Sequence, residues 1–341
     1  MVTRLLLAAT AVLLVACSDN GAPSEAAPGT VTLADVERAT PLTGPEATVD
    51  SLVLKYKAGD TFQYLAEQVS TGGVDTAFME QRSRHVYTKR VRSVRGDGSF
   101  EIGMRFDSIM IDVKAVNKRT GQVLQQQRFS SADSTQRSDP AYAQFSALIG
   151  EEVTIILRPN ATIQEIGGVS SIVNKIIGDQ KVDPAVRAQY ARQIELAAYA
   201  SFVEQEYLRF PAGGVDSSGN WSTTNSAPIL GELFIASSTA NYHIDGVKKV
   251  KGRRIADVSA KLTGTVSVGS IPKASPMRVT MGKSEIAGRG RSVVDVEQGF
   301  TISKTTELST DLQAVLKNSV SGQQQNIAQR TTMRTTVQLL R

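Results

Sequence analysis

Few residues in this chain of 341 could carry catalysis or bind a metal ion. The chain has one cysteine, Cys17, and two histidines, His85 and His243. Both histidines fall within predicted strands, and together they supply only two of the four ligands that a structural zinc site needs. We interpret them as outward strand residues or as satisfied inward ones, and we expect no metal and no cofactor.

Carboxylates and hydroxyls are the remaining candidates for chemistry. The residues considered are Asp107, Asp112, Asp133, Asp139, Ser130, Ser131 and Ser134. Glycoside hydrolysis needs two carboxyl groups facing each other across about 5 to 10 Å, and no spacing here brings two aspartates together predictably. The serines lie near Asp133 but lack the Gly-x-Ser-x-Gly elbow of a nucleophile. We therefore expect that the protein is not an enzyme.

One glycine-containing motif has two interpretations. Gly288-Arg289-Gly290-Arg291 could grip a phosphate group through backbone N–H groups and guanidinium groups. A tight turn between two strands explains the same residues, and the sequence favours that turn.

The amino-terminal residues indicate export. Arg4 precedes the apolar run of residues 5–14, and Leu14-Val15-Ala16-Cys17 resembles the lipobox of bacterial lipoproteins. The run is too short for a permanent membrane span, which favours a cleaved signal peptide over residues 1–16. The resemblance implies that Cys17 is acylated, with palmitate-like chains anchoring the protein to a membrane. An ordinary secretory signal with a chance cysteine is the alternative.

The resemblance also implies an address in the cell envelope. Ser18 stands where lipoproteins retained in the inner membrane usually carry aspartate, so we expect an outer-membrane anchor that faces the periplasm. The net charge of +5 and the pI near 9.2 come from scattered Lys and Arg residues, not from a basic run. We therefore expect no nucleic-acid partner.

Composition divides the rest of the chain. Residues 17–50 are rich in Pro, Gly, Ser and Ala and are predicted to form a flexible tether after the lipidated cysteine. Residues 51–341 are predicted to form a single β-rich domain. Its parts are a first β unit (51–168), a helical connector (169–210) and a second β unit (211–341). A faint internal echo leaves open whether the two β units are related by duplication.

Alternating hydrophobicity predicts most of the strands. Residues 78–94 and the residues from Phe100 onward flank a hairpin turn at Arg95-Gly96-Asp97-Gly98. We assign Arg82, Arg84 and Lys89 to the solvated face of the first of these strands. The Gln-rich segment 309–326 is predicted to be a loop.

The chain is organised around one predicted helix at about 183–207. Asp183 is a suitable N-cap and Pro184 suits the first helical position. Apolar residues then recur every three or four positions over about six turns: Val186, Tyr190, Ile194, Ala197, Ala198, Phe202 and Tyr207. This stripe must be covered, so we expect a mainly β fold with α structure (α+β). In it a large curved antiparallel sheet or half-barrel holds the helix as a plug or connector.

Several short motifs, taken in order, resemble a family of bacterial envelope lipoproteins whose domain has no assigned function. They are Tyr56-Lys57-Ala58-Gly59-Asp60-Thr61, Leu148-Ile149-Gly150, Pro159-Asn160-Ala161-Thr162, Phe210-Pro211 with Val215 and Gly219-Asn220-Trp221, and Val294 through Phe300. The resemblance covers about residues 50–341. It implies kinship with the half-barrel lipid and lipoprotein carriers of the periplasm, and it supplies no catalytic residues.

Two functions follow as hypotheses. The first is a non-enzymatic module that binds a lipid or acyl chain in a cavity lined by Phe62, Tyr64, Phe100, Phe106, Tyr190, Ile194, Phe202 and Trp221. Aromatic residues at such positions more often form simple core. The second is an envelope scaffold that binds a protein or the cell wall through polar, basic strand faces.

Overall fold

Thirteen antiparallel strands form one large sheet in the computed structural model, which describes residues 31–74, 77–178, 180–211, 214–229, 233–269 and 275–341. The predicted signal peptide, Cys17 and the first part of the predicted tether lie outside the described residues. The strands are β1 Thr61–Val74, β2 Ala77–Val94, β3 Phe100–Asn117, β4 Val123–Ser130, β5 Glu152–Leu157, β6 Ile163–Gly167, β7 Asn220–Ile229, β8 Phe234–Val250, β9 Arg253–Val268, β10 Met277–Met281, β11 Glu285–Asp295, β12 Thr301–Asn318 and β13 Gln324–Leu339.

The sheet is open, with β6 and β7 at its two edges. Its order is β6-β5-β3-β2-β1-β13-β12-β11-β9-β8-β7, while β4 pairs with β3 and β10 pairs with β12. The first and last strands therefore meet near the middle of the sheet, where Tyr64 lies opposite Leu339 and Val74 opposite Gln329. The predicted mainly β fold with a large antiparallel sheet is confirmed.

The helices are short and occupy three stretches of the chain. They are α1 Leu33–Arg38, α2 Ser134–Ser138, α3 Ala143–Ser146, α4 Ser170–Ile177, α5 Pro184–Ile194 and α6 Ser201–Glu206. Single turns of 3-10 helix span Gly44–Ala47 and Pro140–Tyr142, and a π-helix spans Glu195–Ala200. No helix among these described residues is long and apolar enough to cross a membrane.

Strand alternation separates a buried inner face, which contacts α6, from an outer face. In β2 the inward residues include His85, Tyr87 and Lys89, whereas Arg82 and Arg84 point outward. The assignment of Lys89 to the solvated face was wrong. Directly opposite residues of an antiparallel pair share a face, and Lys89 lies opposite the buried Phe62 of β1.

The inner face supports two hydrophobic clusters. The larger one joins the inner sides of β1, β2, β3 and β5 to α4 and α6. The smaller one lies at the other ends of the long strands and consists of Phe234, Val266, Ile286, Leu312, Ala314 and Leu316. Three of its members fall in the segment predicted as a loop, so the prediction for residues 309–326 was wrong for most of that segment. Only the turn between β12 and β13 is a loop.

The predicted helix is present and continuous from Pro184 to Glu206, with Asp183 as its N-cap, but it has three parts that behave differently. α6 buries Phe202, Val203 and Glu206 against the sheet. By contrast, α5 has no buried residue, and Tyr190 on it is 42% exposed. The π-helix between them has i→i+5 hydrogen bonds and hence more residues per turn, so it rotates the apolar stripe of α5 away from that of α6.

Part of the predicted flexible tether is ordered against the domain. Val31, Val36 and Val49 are buried, and the Leu42 N–H donates to the Val247 carbonyl at 2.7 Å. A capping box between Thr32 and Asp35 begins α1. For residues 31–50 the structure therefore replaces the expected tether with a segment packed along β8.

Gly299, in the turn between β11 and β12, should be hard to replace. Its φ is +77°, and an added Cβ would lie 2.2 Å from the Val53 carbonyl oxygen. We expect Gly299→Ala to lower the free energy of unfolding by more than the roughly 1–2 kcal/mol that positive φ alone costs, because backbone must also move.

Gly322→Ala is the matched control for urea unfolding. Gly322 has a similar φ of +68°, but nothing lies within 4 Å of its Cβ position. Equal losses of stability in the two variants would contradict the packing of residue 53 on this turn.

Candidate functional site

Most residues predicted to line a cavity instead fill the larger hydrophobic cluster. Phe62, Tyr64, Phe100, Phe106, Phe202 and Trp221 are all buried. Their rings contact one another or neighbouring rings, with centroids 5.2 Å apart for Phe106 and Phe202 and 4.8 Å apart for Trp221 and Tyr242. These six residues form packed core and line neither of the two open cavities described below.

The other two predicted lining residues, Tyr190 and Ile194, lie on α5. Tyr190 is solvent-exposed, and Ile194 is half-buried at the edge of the larger cluster. The structure thus does not bring Tyr190 together with the aromatic residues of the sheet.

The candidates for catalysis and metal binding have local structural roles. Asp107 accepts hydrogen bonds from Gln63, Thr88 and Arg105. Asp133 caps α2, and Asp139 caps the 3-10 turn that follows. Among the described residues, no group of three or more His, Cys, Asp and Glu side chains is placed to hold a metal ion.

The two histidines differ in environment. His85 is buried against Phe202, with ring centroids 4.7 Å apart, and its burial lowers the pKa to about 3. It is therefore a neutral core residue at neutral pH. His243 is exposed, and its Nδ1 lies 2.9 Å from the Asn220 side-chain oxygen.

A buried polar cluster joins the end of α6 to the sheet. Lys89 forms an ion pair with Glu206, and both side chains are almost fully buried. The Tyr87 hydroxyl donates to Glu206 at 2.9 Å, and the hydroxyls of Tyr56 and Tyr207 are 2.8 Å apart. The Lys89 ammonium also lies 4.3 Å from the centre of the Tyr207 ring, a cation–π distance.

Burial dominates the ionisation of this cluster. Desolvation lowers the pKa of Lys89, although the nearby Glu206 carboxylate opposes that shift. Desolvation together with the charge of Glu206 raises the pKa of Tyr87 and of Tyr207 well above the ordinary value. With each charge and hydroxyl satisfied by a neighbour, the cluster fixes the helix end in one position and presents no reactive group to solvent.

The larger open cavity lies on the opposite side of the sheet. We call it the outer trough; it has a volume of about 680 Å³ and is lined by Val69, Thr71, Ala287, Gly288, Arg289, Glu307, Leu308, Ser309, Thr332, Met333 and Arg334. A volume of this size is within the range of small-molecule pockets, about 300–1,000 Å³. No residue of the outer trough was among the predicted cavity residues.

Strand register builds the outer trough from two adjacent rows. One row crosses the sheet through Val69, Arg334, Glu307 and Arg289, and the other through Thr71, Thr332, Ser309 and Ala287. Strands are about 4.8 Å apart, so four strands make a trough about 14 Å across. The second row carries only small side chains, and Val69 is 40% exposed at the end of the first. The result is a shallow floor of methyl groups, hydroxyl groups and backbone, and Leu308 and Met333 of the intervening row also line the cavity.

Gly288 lies between the two rows. A Cβ atom at this position would lie 2.5 Å from the Glu307 carbonyl oxygen, so glycine permits the close approach of β11 to β12. The motif Gly288-Arg289-Gly290-Arg291 is therefore the middle of β11, and its interpretation as a turn was wrong. Its two arginines point outward from the sheet.

A smaller open cavity of about 380 Å³ lies near the end of β2 and the start of β5. It is lined by Gly59, Arg90, Val91, Arg92 and Glu152. The Arg92 side chain forms an ion pair with Glu152 and lies 3.8 Å from Glu101. This cavity is polar, and its central ion pair is already formed. It therefore suits an apolar ligand less well than the outer trough does.

Comparison with known proteins gives a family. The model of a family of unknown function, DUF6263, matches residues 97–301, which is more than half of the chain. The chain therefore belongs to this family. The match includes all the motifs of the sequence resemblance except the one at residues 56–61. No curated protein matches the chain significantly.

Solved structures give only distant similarities. A structure of lipid–protein interactions in lipovitellin is 7% identical to this chain, with a TM-score of 0.44. The similarity covers 84% of this chain but only 25% of the lipovitellin chain. An outer-membrane channel from Pseudomonas putida F1 is 8% identical, covers 84% of this chain and 97% of its own, and has a TM-score of 0.22. A DUF1329 family protein from Desulfovibrio piger is 9% identical, covers 82% and 85%, and has a TM-score of 0.12. With TM-scores this low, none of the three assigns a function.

Removing the acidic member of the buried pair should destabilise the protein strongly. We expect Glu206→Gln to lower the free energy of unfolding by about 3–5 kcal/mol, because it leaves the Lys89 ammonium buried without its counter-charge. Urea unfolding measures the loss.

Glu204→Gln is the control on the same helix. Glu204 is half exposed and pairs with Arg209 at 2.8 Å, so its loss should cost less than about 1 kcal/mol. If the two variants unfold alike, the buried pair does not fix the helix to the sheet.

Proposed function

We propose that this DUF6263 protein is a non-enzymatic envelope lipoprotein that binds an apolar or amphipathic ligand, such as an acyl chain, in the outer trough. The observation that carries the proposal is the trough itself, an open cavity of about 680 Å³, whereas six of the residues predicted to line a cavity are packed core. The proposal keeps the ligand class expected from the sequence and moves its site from the core to the outer face.

Three features of the outer trough support a ligand site. Its small side chains form a floor without polar groups other than the hydroxyls of Thr71, Thr332 and Ser309. The Thr71 and Thr332 hydroxyls are 2.7 Å apart and bond to each other, which reduces their demand for water. The floor also belongs to four strands of a continuous sheet, so it is held rigidly and need not be ordered when a ligand binds.

The proposal also states that this protein is not an enzyme. Among the described residues of the outer trough there is no histidine, no cysteine and one carboxylate, Glu307. Glu307 is already engaged by Arg289, whose Nη2 lies 2.6 Å from it. General acid–base chemistry needs a titratable group poised beside the substrate, whereas this carboxylate is held in an ion pair.

A scaffold function is the second candidate, and a specific observation favours it. The outer face carries exposed basic side chains in one row across neighbouring strands, including Arg334, Arg289 and Lys261. Such a row suits an acidic protein or cell-wall partner. A photo-crosslinking amino acid at position 261 would recover this partner from cells; recovery of no envelope component would remove the scaffold candidate.

Filling the trough should weaken ligand binding without unfolding the protein. We expect Ala287→Trp to weaken binding of the neutral fluorescent probe 1-N-phenylnaphthylamine at least ten-fold, because the indole would occupy the floor. Ser222→Trp places the same ring on the outer face of β7, outside the trough, and should leave binding unchanged.

Two results would overturn the ligand function. One is equal probe binding in both tryptophan variants. The other is native mass spectrometry of gently purified protein that shows no bound lipid, together with no probe binding by the wild-type chain.

The membrane anchor is proposed from the lipobox resemblance of residues 14–17. Cys17→Ala should abolish incorporation of labelled palmitate and release the protein from the membrane fraction, because no thiol remains to be acylated. Cys17→Ser is a second variant that keeps the polarity and size of the side chain and should behave like Cys17→Ala. Persistent membrane retention of both variants would contradict the anchor.

A further inference from the structure

Two arginines lie along one side of the floor of the outer trough. Arg289 is 80% exposed and Arg334 is 65% exposed, and both belong to the row that borders the small residues. Glu307 lies between them in the register, opposite Arg334 on β13 and Arg289 on β11. The charged groups are therefore part of the cavity lining and sit along one side of its floor.

Glu307 lies close to both guanidinium groups, but its single negative charge can neutralise only one of them. The Arg289 Nε and Nη2 atoms lie 2.7 Å and 2.6 Å from one carboxylate oxygen of Glu307. The Arg334 Nε lies 3.9 Å from the other oxygen. Two guanidinium groups share one carboxylate, so the lining carries a net charge of +1.

The charges next to the lining increase this excess. Lys261 lies directly opposite Arg289 on β9 and is exposed. On the other side, Arg82 lies opposite Val69 on β2 and pairs with Glu80, which leaves that pair neutral. Further along the face, Arg291 is paired with Asp257 at 2.8 Å, and Arg84 lies 3.8 Å from Glu67. The row on the other border of the floor has Arg330 opposite Asp311, and Asp311 opposite Glu285, so it adds no positive excess. The positive excess therefore lies on the side of the floor that carries Arg334, Arg289 and Lys261.

We infer that the outer trough selects amphiphiles with a single carboxylate or phosphate group, bound by Arg334 and Arg289, whose alkyl chain lies over Thr71, Thr332, Ser309 and Ala287. This inference rests on the proposed function and names the ligand class of the same site. A guanidinium group presents several N–H donors in one plane and so matches the oxygens of a carboxylate or phosphate. The methyl groups of Thr71, Thr332 and Ala287 in the neighbouring row give the alkyl chain apolar surface that water leaves on binding.

Recognition must come from side chains here. The strand β11 pairs with β9 on one side and with β12 on the other through residues 288–291, so its backbone N–H groups are used by the sheet. Binding of a phosphate group by the backbone N–H groups of residues 288–291 is therefore excluded. Of the two kinds of donor that the sequence suggested, only the guanidinium groups remain available. Of its two arginines, Arg289 lines the trough and Arg291 is held by Asp257 outside it.

Displacement of 1-N-phenylnaphthylamine by three competitors tests the inference on the full-length protein. Decanoate has the chain and the anion, 1-decanol has the chain alone, and inorganic phosphate has the anion alone. We expect decanoate to displace the probe at a concentration at least ten-fold lower than decanol, and inorganic phosphate not to displace it.

Arginine variants connect the preference to the trough. Arg334→Gln and Arg289→Gln should each reduce the preference for decanoate over decanol by at least three-fold while leaving decanol binding unchanged. Arg84→Gln and Arg291→Gln remove the same charge from the same face outside the lining and should keep the wild-type preference.

The outcomes separate this inference from the function on which it rests. If decanol and decanoate bind equally, or if all four arginine variants behave alike, the anionic headgroup is overturned while the apolar site stands. Binding of phosphate alone with the affinity of decanoate would replace the amphiphile with a simple anion site. If the wild-type chain binds neither the probe nor decanol, the proposed function itself is overturned.

Discussion

The pairing of the first strand with the last is the constraint on which the rest of this structure depends. β1 and β13 lie side by side from Tyr64 opposite Leu339 to Val74 opposite Gln329 and connect the two halves of the sheet. A slip of one residue would turn Tyr64 toward solvent and Val69 into the core, because side chains alternate between faces. Both the buried cluster and the outer trough require the observed register.

The two faces of this junction have different roles. On the inner face, Tyr64 donates to the Thr301 carbonyl at 2.9 Å, and Thr301 donates to the Glu206 carbonyl at 2.8 Å. With Lys89 paired to Glu206, this network fixes α6 and leaves the core filled. On the outer face the same strands carry small residues and arginines. The proposed ligand site therefore lies on the outer face, because the aromatic residues that were predicted to line a cavity are packed core.

Sequence patterns located the strands better than they located the site. Period-two alternation found β2 and its hairpin with β3, since Tyr87 and Val91 alternate with arginines. It missed the direction of Lys89, because lysine is almost always exposed and its burial here depends on Glu206, 117 positions away. The segment 309–326 is rich in polar residues, and this composition led to the prediction of a loop. Leu312, Ala314 and Leu316 are nevertheless apolar at every second position, and this alternation would have predicted the strand.

The residues of the proposed site could not be recognised from the sequence for a related reason. Val69, Arg334, Glu307 and Arg289 come from four strands spread over more than 260 positions, and only the register makes them neighbours. Large aromatic residues signalled the core, whereas the trough is defined by small side chains that give no signal alone. The apolar stripe of residues 186–207 was real in the sequence, but the π-helix at Glu195–Ala200 turned its first half away from the sheet.

Photolabelling of the purified protein with a diazirine derivative of decanoate, followed by peptide mapping, tests the central claim most directly. The account predicts labels on residues 69–71, 287–289, 307–309 and 332–334, all removed by excess decanoate. Labels concentrated on α5, or labels that excess decanoate does not remove, would contradict it.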